Sequence, residues 1–384
     1  MTASAYDHIE EAWGLDGNPF PHSAISSGWK EPYSAEVFPE ETATFHQKMI
    51  RGAIQGGRQI GFLWSKGPGG DTGYGKTALM RATVREINAD WGRELEIATG
   101  MKEERLVPIV AGFSELNTIS RTGLFPVLFN AVVGIATGPN PPLVLAHERI
   151  RTSLGSDDPE AIATKLSETR LKVAPTASAL RPELVQVFSE RPTELGKFLG
   201  EVSDASQIRN GIQYLQFAMI ALAAAGAGKI FLMIDQLEDL ATNKALSRAK
   251  RQREIGRIRD LMETEPYASM LHLTFTFHAT AARELESFWE QNRLPSFEDT
   301  ASNQAAVVVL RGMRDDDQVE ALLKAWLEPH RNGNPVPDEL VPFNRDALTV
   351  LRYISEGRPG ILLNRAHEVF ASGAEAQVGT IDAA

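Results

Sequence analysis

An apolar run that breaks into glycine constrains this chain more than any other feature. Ile60-Gly61-Phe62-Leu63-Trp64 is followed by Ser65-Lys66-Gly67-Pro68-Gly69-Gly70, and Gly70-Asp71-Thr72-Gly73-Tyr74-Gly75-Lys76-Thr77 leads into Ala78-Leu79-Met80-Arg81. The run has the length of a buried strand and the residues after Thr77 suit a helix, so the segment reads strand–loop–helix. Glycines at this spacing let the backbone take positive φ and turn its N–H groups inward, a cradle that suits phosphate. The helix start brings its partial positive charge to the same place. In Gly70-x4-Gly75-Lys76-Thr77, Lys76 is the side chain expected to reach the β- and γ-phosphates of ATP, and the Thr77 hydroxyl to ligate Mg²⁺. A structural turn can match the same pattern; the strand before it and the helix after it favour the phosphate loop.

A second apolar run ends in acid. Lys229-Ile230-Phe231-Leu232-Met233-Ile234-Asp235-Gln236-Leu237-Glu238-Asp239 reads as a buried strand closing on Asp235. A carboxylate at a strand end suits Mg²⁺, directly or through water, and a second one nearby orients the attacking water. Asp235 fits the first role. For the second, Gln236 stands where many motor-type ATPases have Glu, which leaves Glu238, with Asp239 behind it. Both acids equally suit the cap of a following helix. The loop and the acidic strand resemble the Walker A and Walker B motifs of P-loop ATPases, and with Gln236 in the usual Glu position slow turnover is the expectation.

Further strand candidates are 107–110, 271–277 and 305–310, with helical patterns between them. That alternation predicts an α/β fold with a parallel sheet. More than a hundred residues separate the second strand from the Asp235 strand, whereas a crossover needs only about a dozen. Residues 138–205 therefore read as a helical insertion. Residues 1–42 are rich in turn formers (Gly14, Gly17, Asn18, Pro19, Pro21, Pro32, Pro39) and read as an extended arm with little helix. Residues 41–54 read as a helix, and 43–312 as the ATPase core. From 313 to 384 the pattern is helical. Val319, Leu322, Leu323, Trp326 and Leu327 make one apolar face behind Asp315, Asp316 and Asp317; Leu348, Leu351 and Ile354 make a second; Ile361, Leu362, Ala366, Val369 and Phe370 make a third.

Composition excludes several classes. There is no cysteine, so disulfides, zinc–thiolate sites and thiol catalysis are ruled out, and a reducing cytoplasm is the expected setting. The first twenty residues carry Asp7, Glu10 and Glu11 and no apolar run, so no signal peptide is expected. The most apolar stretch, 217–234, is broken by Gly226, Gly228 and Lys229, and no membrane span is expected. A net charge of −11 excludes a generally basic nucleic-acid coat, so any DNA contact must come from a local patch.

With both motifs placed, the chain resembles AAA+ ATPases, most closely the branch near the Orc-type replication initiators, the TniB-type transposition ATPases and the STAND switches. Trp13-Gly14-Leu15-Asp16-Gly17-Asn18-Pro19-Phe20 is similar to the "GL…NPF" segment that lies against adenine in that branch. Ile234-Asp235-Gln236-Leu237-Glu238-Asp239-Leu240 looks like the "DQ-x-E-E-L" form of bacterial STAND proteins. Thr274, Thr276 and His278 lie where the family has sensor 1. Gly357-Arg358-Pro359-Gly360-Ile361-Leu362-Leu363 resembles the "G-x-P-R-x-L-L" sensor 2 turn, with Gly360 where the family has Arg. Arg358 or Arg365 would then supply that charge near the γ-phosphate. The resemblance implies a five-stranded parallel sheet, a C-terminal helical lid, and a homo-oligomer with nucleotide between subunits. It also implies an arginine finger from the neighbour, for which Arg293 in Gln291-Asn292-Arg293-Leu294-Pro295 is the candidate; an exposed surface arginine is the alternative.

Residues 244–259 carry seven basic residues and one acid, Glu254. At 100° per residue Lys250, Arg253 and Arg257 share one face, opposite Ile255, Ile258 and Met262. In DNA-bound members of the family, basic residues here often point at the DNA backbone, which implies sequence-independent, salt-sensitive binding. A solvated face, or one paired with acids of a neighbouring subunit, is the alternative. Sequence-specific reading of DNA is expected to fall to another chain, and a protein partner encoded nearby is expected. The function expected is a switch ATPase in a DNA-linked process such as transposition or phage defence. The second possibility is a STAND-like signalling scaffold that binds ATP and recruits a protein without touching DNA.

Overall fold

A computed structural model describes residues 3–23, 32–65, 72–134, 140–169, 171, 180–201, 204–298, 300, 305–331, 333 and 336–382. Contacts divide the chain into two units. One comprises Thr44–Trp64 and Met80–Val308, the other Met1–Ala43, Ser65–Leu79 and Val309–Ala384.

The first unit is built on an open, all-parallel five-stranded sheet, as the alternating pattern predicts. The strands are β1 (Ile60–Ser65), β2 (Ile109–Glu115), β3 (Lys229–Asp235), β4 (Leu271–Thr276) and β5 (Ala306–Leu310), in the order β2-β3-β4-β1-β5. Because the strands are parallel, Glu115, Asp235 and Thr276 end along one edge of the sheet. The register is continuous, with Ile109↔Lys229 through Glu115↔Asp235 and Leu63↔Thr276. β2 starts later and runs further than the apolar pattern of 107–110 suggests. Ala111, Gly112 and Ser114 are poor strand formers, but each pairs with a residue of β3. Gly112 is required: a Cβ there would stand 2.0 Å from the Ala131 carbonyl oxygen, so the helix Leu124–Val133 packs directly on its backbone. The free edge of β2 is bound by Asn88, whose amide exchanges hydrogen bonds of 2.8 and 2.9 Å with the backbone of Ala111.

Between β2 and β3, the helices Pro142–Leu154, Pro159–Ser167, Pro182–Glu190 and Leu195–Glu201 occupy most of 138–205. Proline opens three of them, where its missing N–H costs nothing. Ile150, Ile162, Leu166, Phe188 and Leu195 are fully buried in the same core as the strands. The region is part of the sheet unit's core and not an appendage to it.

The second unit has its own core, drawn from Ile9, Trp13, Phe20, Val319, Leu323, Leu348 and Phe370. One expectation is corrected here: the N-terminal segment contains a helix, Ala3–Trp13. Ala5, Ile9 and Trp13 recur every four residues and are buried, so one face of that helix is apolar. The helices Asp316–Leu327, Arg345–Ile354 and Pro359–Glu375 form as expected, the first capped by Asp315, which accepts from Gln318 N. Ile354 is 45% exposed and does not belong to the buried face of its helix. The helix expected over 41–54 is also altered: Pro39–Phe45 and Gly52–Gly56 are α-helical, but His46–Arg51 between them is a π-helical turn. Among the described residues no helix is long and apolar enough to cross a membrane.

Three buried titratable groups predict how stability depends on pH. Burial holds His46 and His272 at about 4, down from 6.5. Burial, eased by the Val107 N–H and reinforced by Asp90, lifts Glu96 from 4.5 to about 7. Below pH 6.5 the unfolded chain binds protons at both histidines that the folded chain refuses, so stability rises with pH. From 4.5 to 7 the folded chain keeps the Glu96 proton that the unfolded chain has lost, so this group opposes the trend. Glu96→Gln removes this opposing contribution, so stability should rise more steeply with pH in that variant than in wild type between pH 4.5 and 7. Urea midpoints of the two proteins across that range check this, and parallel profiles refute it.

Candidate functional site

The glycine-rich loop lies in the second unit. Gly70 and Asp71 are outside the described residues; Thr72 to Thr77 are described. Gly73 and Gly75 have φ of 81° and 83°, the left-handed region a cradle of inward N–H groups needs. Nothing lies within 4 Å of where a Cβ on Gly75 would stand, so the backbone there is open to a ligand. The helix Lys76–Asp90 begins at once, with Leu79 N donating to Gly75 O at 2.9 Å. Tyr74 is buried and anchors the loop, while Lys76, Thr77 and Ala78 are half-buried. The Lys76 ammonium reaches back to Ser65 Oγ, at the end of β1, at 3.0 Å.

The turn at 357–363 rests on this loop. Gly360 N donates to Gly73 O at 2.9 Å, and the Arg358 Cβ lies 3.9 Å from where a Cβ on Gly73 would be. Gly360, where the resemblance leads one to expect arginine, thus lies with its backbone against the loop carbonyl. Arg358 is mostly buried, and its Nη2 donates to Glu356 Oε2 at 3.1 Å. Arg365 is exposed and pairs with Glu368 at 2.7 Å. Of the two arginines, Arg358 is the one that springs from beside the loop.

The segment compared with the adenine arm is tied to the helix Pro359–Glu375. Asn18 Nδ2 donates to His367 O at 3.2 Å, and the His367 ring donates to Phe20 O at 2.7 Å. Pro19 is buried, and the Phe20 ring is 3% exposed, packed edge-on against Phe343 and Phe370. In this structure the ring belongs to the core.

The acidic strand end lies in the first unit, and there the structure joins residues that the sequence lists apart. Asp235 is buried, and its Oδ1 accepts from the Thr276 hydroxyl and from Gln236 N. Glu238 precedes the short helix Asp239–Thr242 but makes no capping bond. Its Oε1 lies 2.8 Å from His278 Nε2, so the capping alternative gives way to a Glu–His pair. Thr274 is fully buried within β4.

Two further residues join this edge. Glu115 is the register partner of Asp235, and Arg81 pairs with it at 3.3 Å while lying over the Phe113 ring. Burial and then Asp235 hold the Glu115 carboxyl above its ordinary range, against Arg81, with Asp239 adding to the rise. Asp239 is raised by burial, then by Glu238 and Asp235. This crowding of carboxylates favours a nearby cation. Among the described residues, no group of three or more His, Asp or Glu side chains forms a metal cage. An ion would complete its shell from water and substrate, as Mg²⁺ commonly does.

Arg293 is exposed and left-handed (φ 53°), and its carbonyl accepts from Arg259 Nη1 at 2.8 Å. The basic helix, Arg248–Glu263, corrects another expectation: Lys250, Arg253 and Arg257 do not form one outer face. Lys250 Nζ donates to the Ser120 carbonyl, and Arg257 is bound to buried Glu254 at 2.7 Å. Arg253 is the exposed member of the three.

Neither a scan of protein-family models nor a search of curated proteins returns a match to this chain.

Proposed function

We propose that this chain is an ATP-binding switch ATPase of the AAA+ type. The observation that carries the reading is the loop: two left-handed glycines leading into a helix that opens on Lys76. Its backbone N–H groups and Lys76 would bind the phosphates, Thr77 would supply a hydroxyl ligand to Mg²⁺, and Asp235 is the candidate carboxylate for the ion. Mg²⁺ supplies charge neutralisation and orientation of the phosphates. Arg358 supplies positive charge from the lid, and a neighbour's Arg293 completes the site in a homo-oligomer. Net hydrolysis of ATP yields ADP and phosphate.

The inward bonds of Lys250 and Arg257 favour a switch that recruits a protein partner over one that grips DNA through this helix. The DNA-linked setting remains part of the proposal through the resemblance alone.

Calorimetry with ATP, with and without Mg²⁺, tests the reading. Wild type should bind tighter with Mg²⁺ by about tenfold or more. Asp235→Asn should retain ATP binding while losing most of the Mg²⁺ increment. No binding by the wild type overturns the ATPase reading, and an unchanged increment in Asp235→Asn removes Asp235 from the ion.

A further inference from the structure

Six non-glycine residues among those described have positive φ, and Gln236 (φ 66°) alone directly follows a strand. For a residue with a side chain this conformation is strained. It is held by the Gln236 N–H, which lies 3.1 Å from both Asp235 Oδ1 and Thr276 Oγ1. The next residue reinforces it, with Leu237 N donating to Thr276 O at 2.8 Å. Strain imposed by such a network beside a candidate ion carboxylate asks for a functional reason.

The side chains of this edge differ in what they have left to offer. Glu238 has one oxygen bound to His278, and the other is closed off from solvent with no hydrogen-bond partner among the described residues. One oxygen is engaged and the other is buried. The Gln236 carboxamide is half-buried and makes no hydrogen bond among the described residues. A carboxamide carries both a donor and an acceptor, so it can orient a water molecule without taking its proton.

We infer that Gln236, and not Glu238, positions the attacking water. The inference rests on the ATPase reading above. The water oxygen bonds to the γ-phosphorus as the bond to the β–γ bridging oxygen breaks. ADP leaves with that electron pair, and the water proton passes to the phosphate product. Gln236 accepts a hydrogen bond from the water and so sets its direction, while Glu238 and His278 brace the turn.

Three variants of the full chain test this. Gln236→Gly removes the side chain but tolerates the left-handed backbone, so its folding midpoint should not fall. Its kcat should drop at least about tenfold, with Mg²⁺–ATP affinity unchanged by calorimetry. Gln236→Glu should restore turnover to wild-type level or above, because a carboxylate both orients and deprotonates water. Glu238→Gln should stay within about twofold of wild type. Normal turnover by Gln236→Gly, or a larger loss from Glu238→Gln, overturns the inference while the ATPase reading stands. Wild-type protein that binds Mg²⁺–ATP without any turnover overturns it too. Failure of wild type to bind Mg²⁺–ATP defeats the ATPase reading itself, and this inference with it.

Discussion

Lys76→Ala should weaken ATP binding between about thirtyfold and several thousandfold, the equivalent of roughly 2–5 kcal/mol for removing one partner of a desolvated charge pair. Lys76 is the first residue of its helix, and its ammonium already crosses the loop to Ser65 Oγ. A phosphate bound by the loop would take up that charge directly. The substitution should leave the fold intact, since Lys76 is outside both apolar cores and alanine is the best helix former. Circular dichroism and the urea midpoint should match wild type within about 1 kcal/mol. Titration of both proteins with Mg²⁺–ATP decides the matter: equal affinities would mean that the loop is a structural turn.

Much of this was legible from residue order because the signals are local. Positive φ at Gly73 and Gly75, a helix opening two residues before the expected Ala78 and a strand ending on Asp235 follow from glycine freedom and apolar run length. The three C-terminal helices were legible from spacing and from caps such as Asp315. What was hidden depended on partners distant in sequence. Glu115 belongs to the acidic edge only because β2 extends past weak strand formers to pair with β3. The N-terminal helix was masked by the turn formers that follow it, although its four-residue apolar spacing was available. The π-helical turn at His46–Arg51 carries no comparable local signature.

Gly360 shows how a local departure from a motif gains meaning in three dimensions. In the sequence it is a missing arginine. In the structure its N–H contacts the glycine-rich loop, and Arg358 on the preceding turn starts beside that loop. The turn at 357–363 therefore meets the glycine-rich loop through backbone at Gly360, while the Arg358 side chain starts beside the loop and runs to Glu356. The same distinction separates Arg358 from Arg365, which spacing alone left equivalent and which pairs on an exposed face.

Glu254→Ala should destabilise the protein by about 3–5 kcal/mol, because it strips the partner from a charge that packing holds inside. Glu254 is 1% exposed, and it does three jobs. Its Oε2 accepts from Leu124 N at 2.9 Å, at the start of the helix Leu124–Val133, which has no side-chain cap of its own. A carboxylate there also suits the positive end of that helix. Both oxygens bind Arg257, which is 20% exposed and packs over the Phe125 ring. The third partner, Arg253 at 3.4 Å, is exposed enough to return to water. Alanine would leave the Leu124 N–H without its acceptor and Arg257 without its counter-ion. Glu254→Gln keeps the shape and one acceptor, so its loss should be smaller, about 1–3 kcal/mol. Urea denaturation of the two variants measures both. If the basic residues faced outward for DNA, Glu254→Ala would cost under about 1 kcal/mol, as exposed ion pairs do. It would also tighten binding to a labelled duplex by removing a negative charge. A large stability loss with no gain in duplex affinity would instead mean that this helix spends its arginines on holding the sheet unit together.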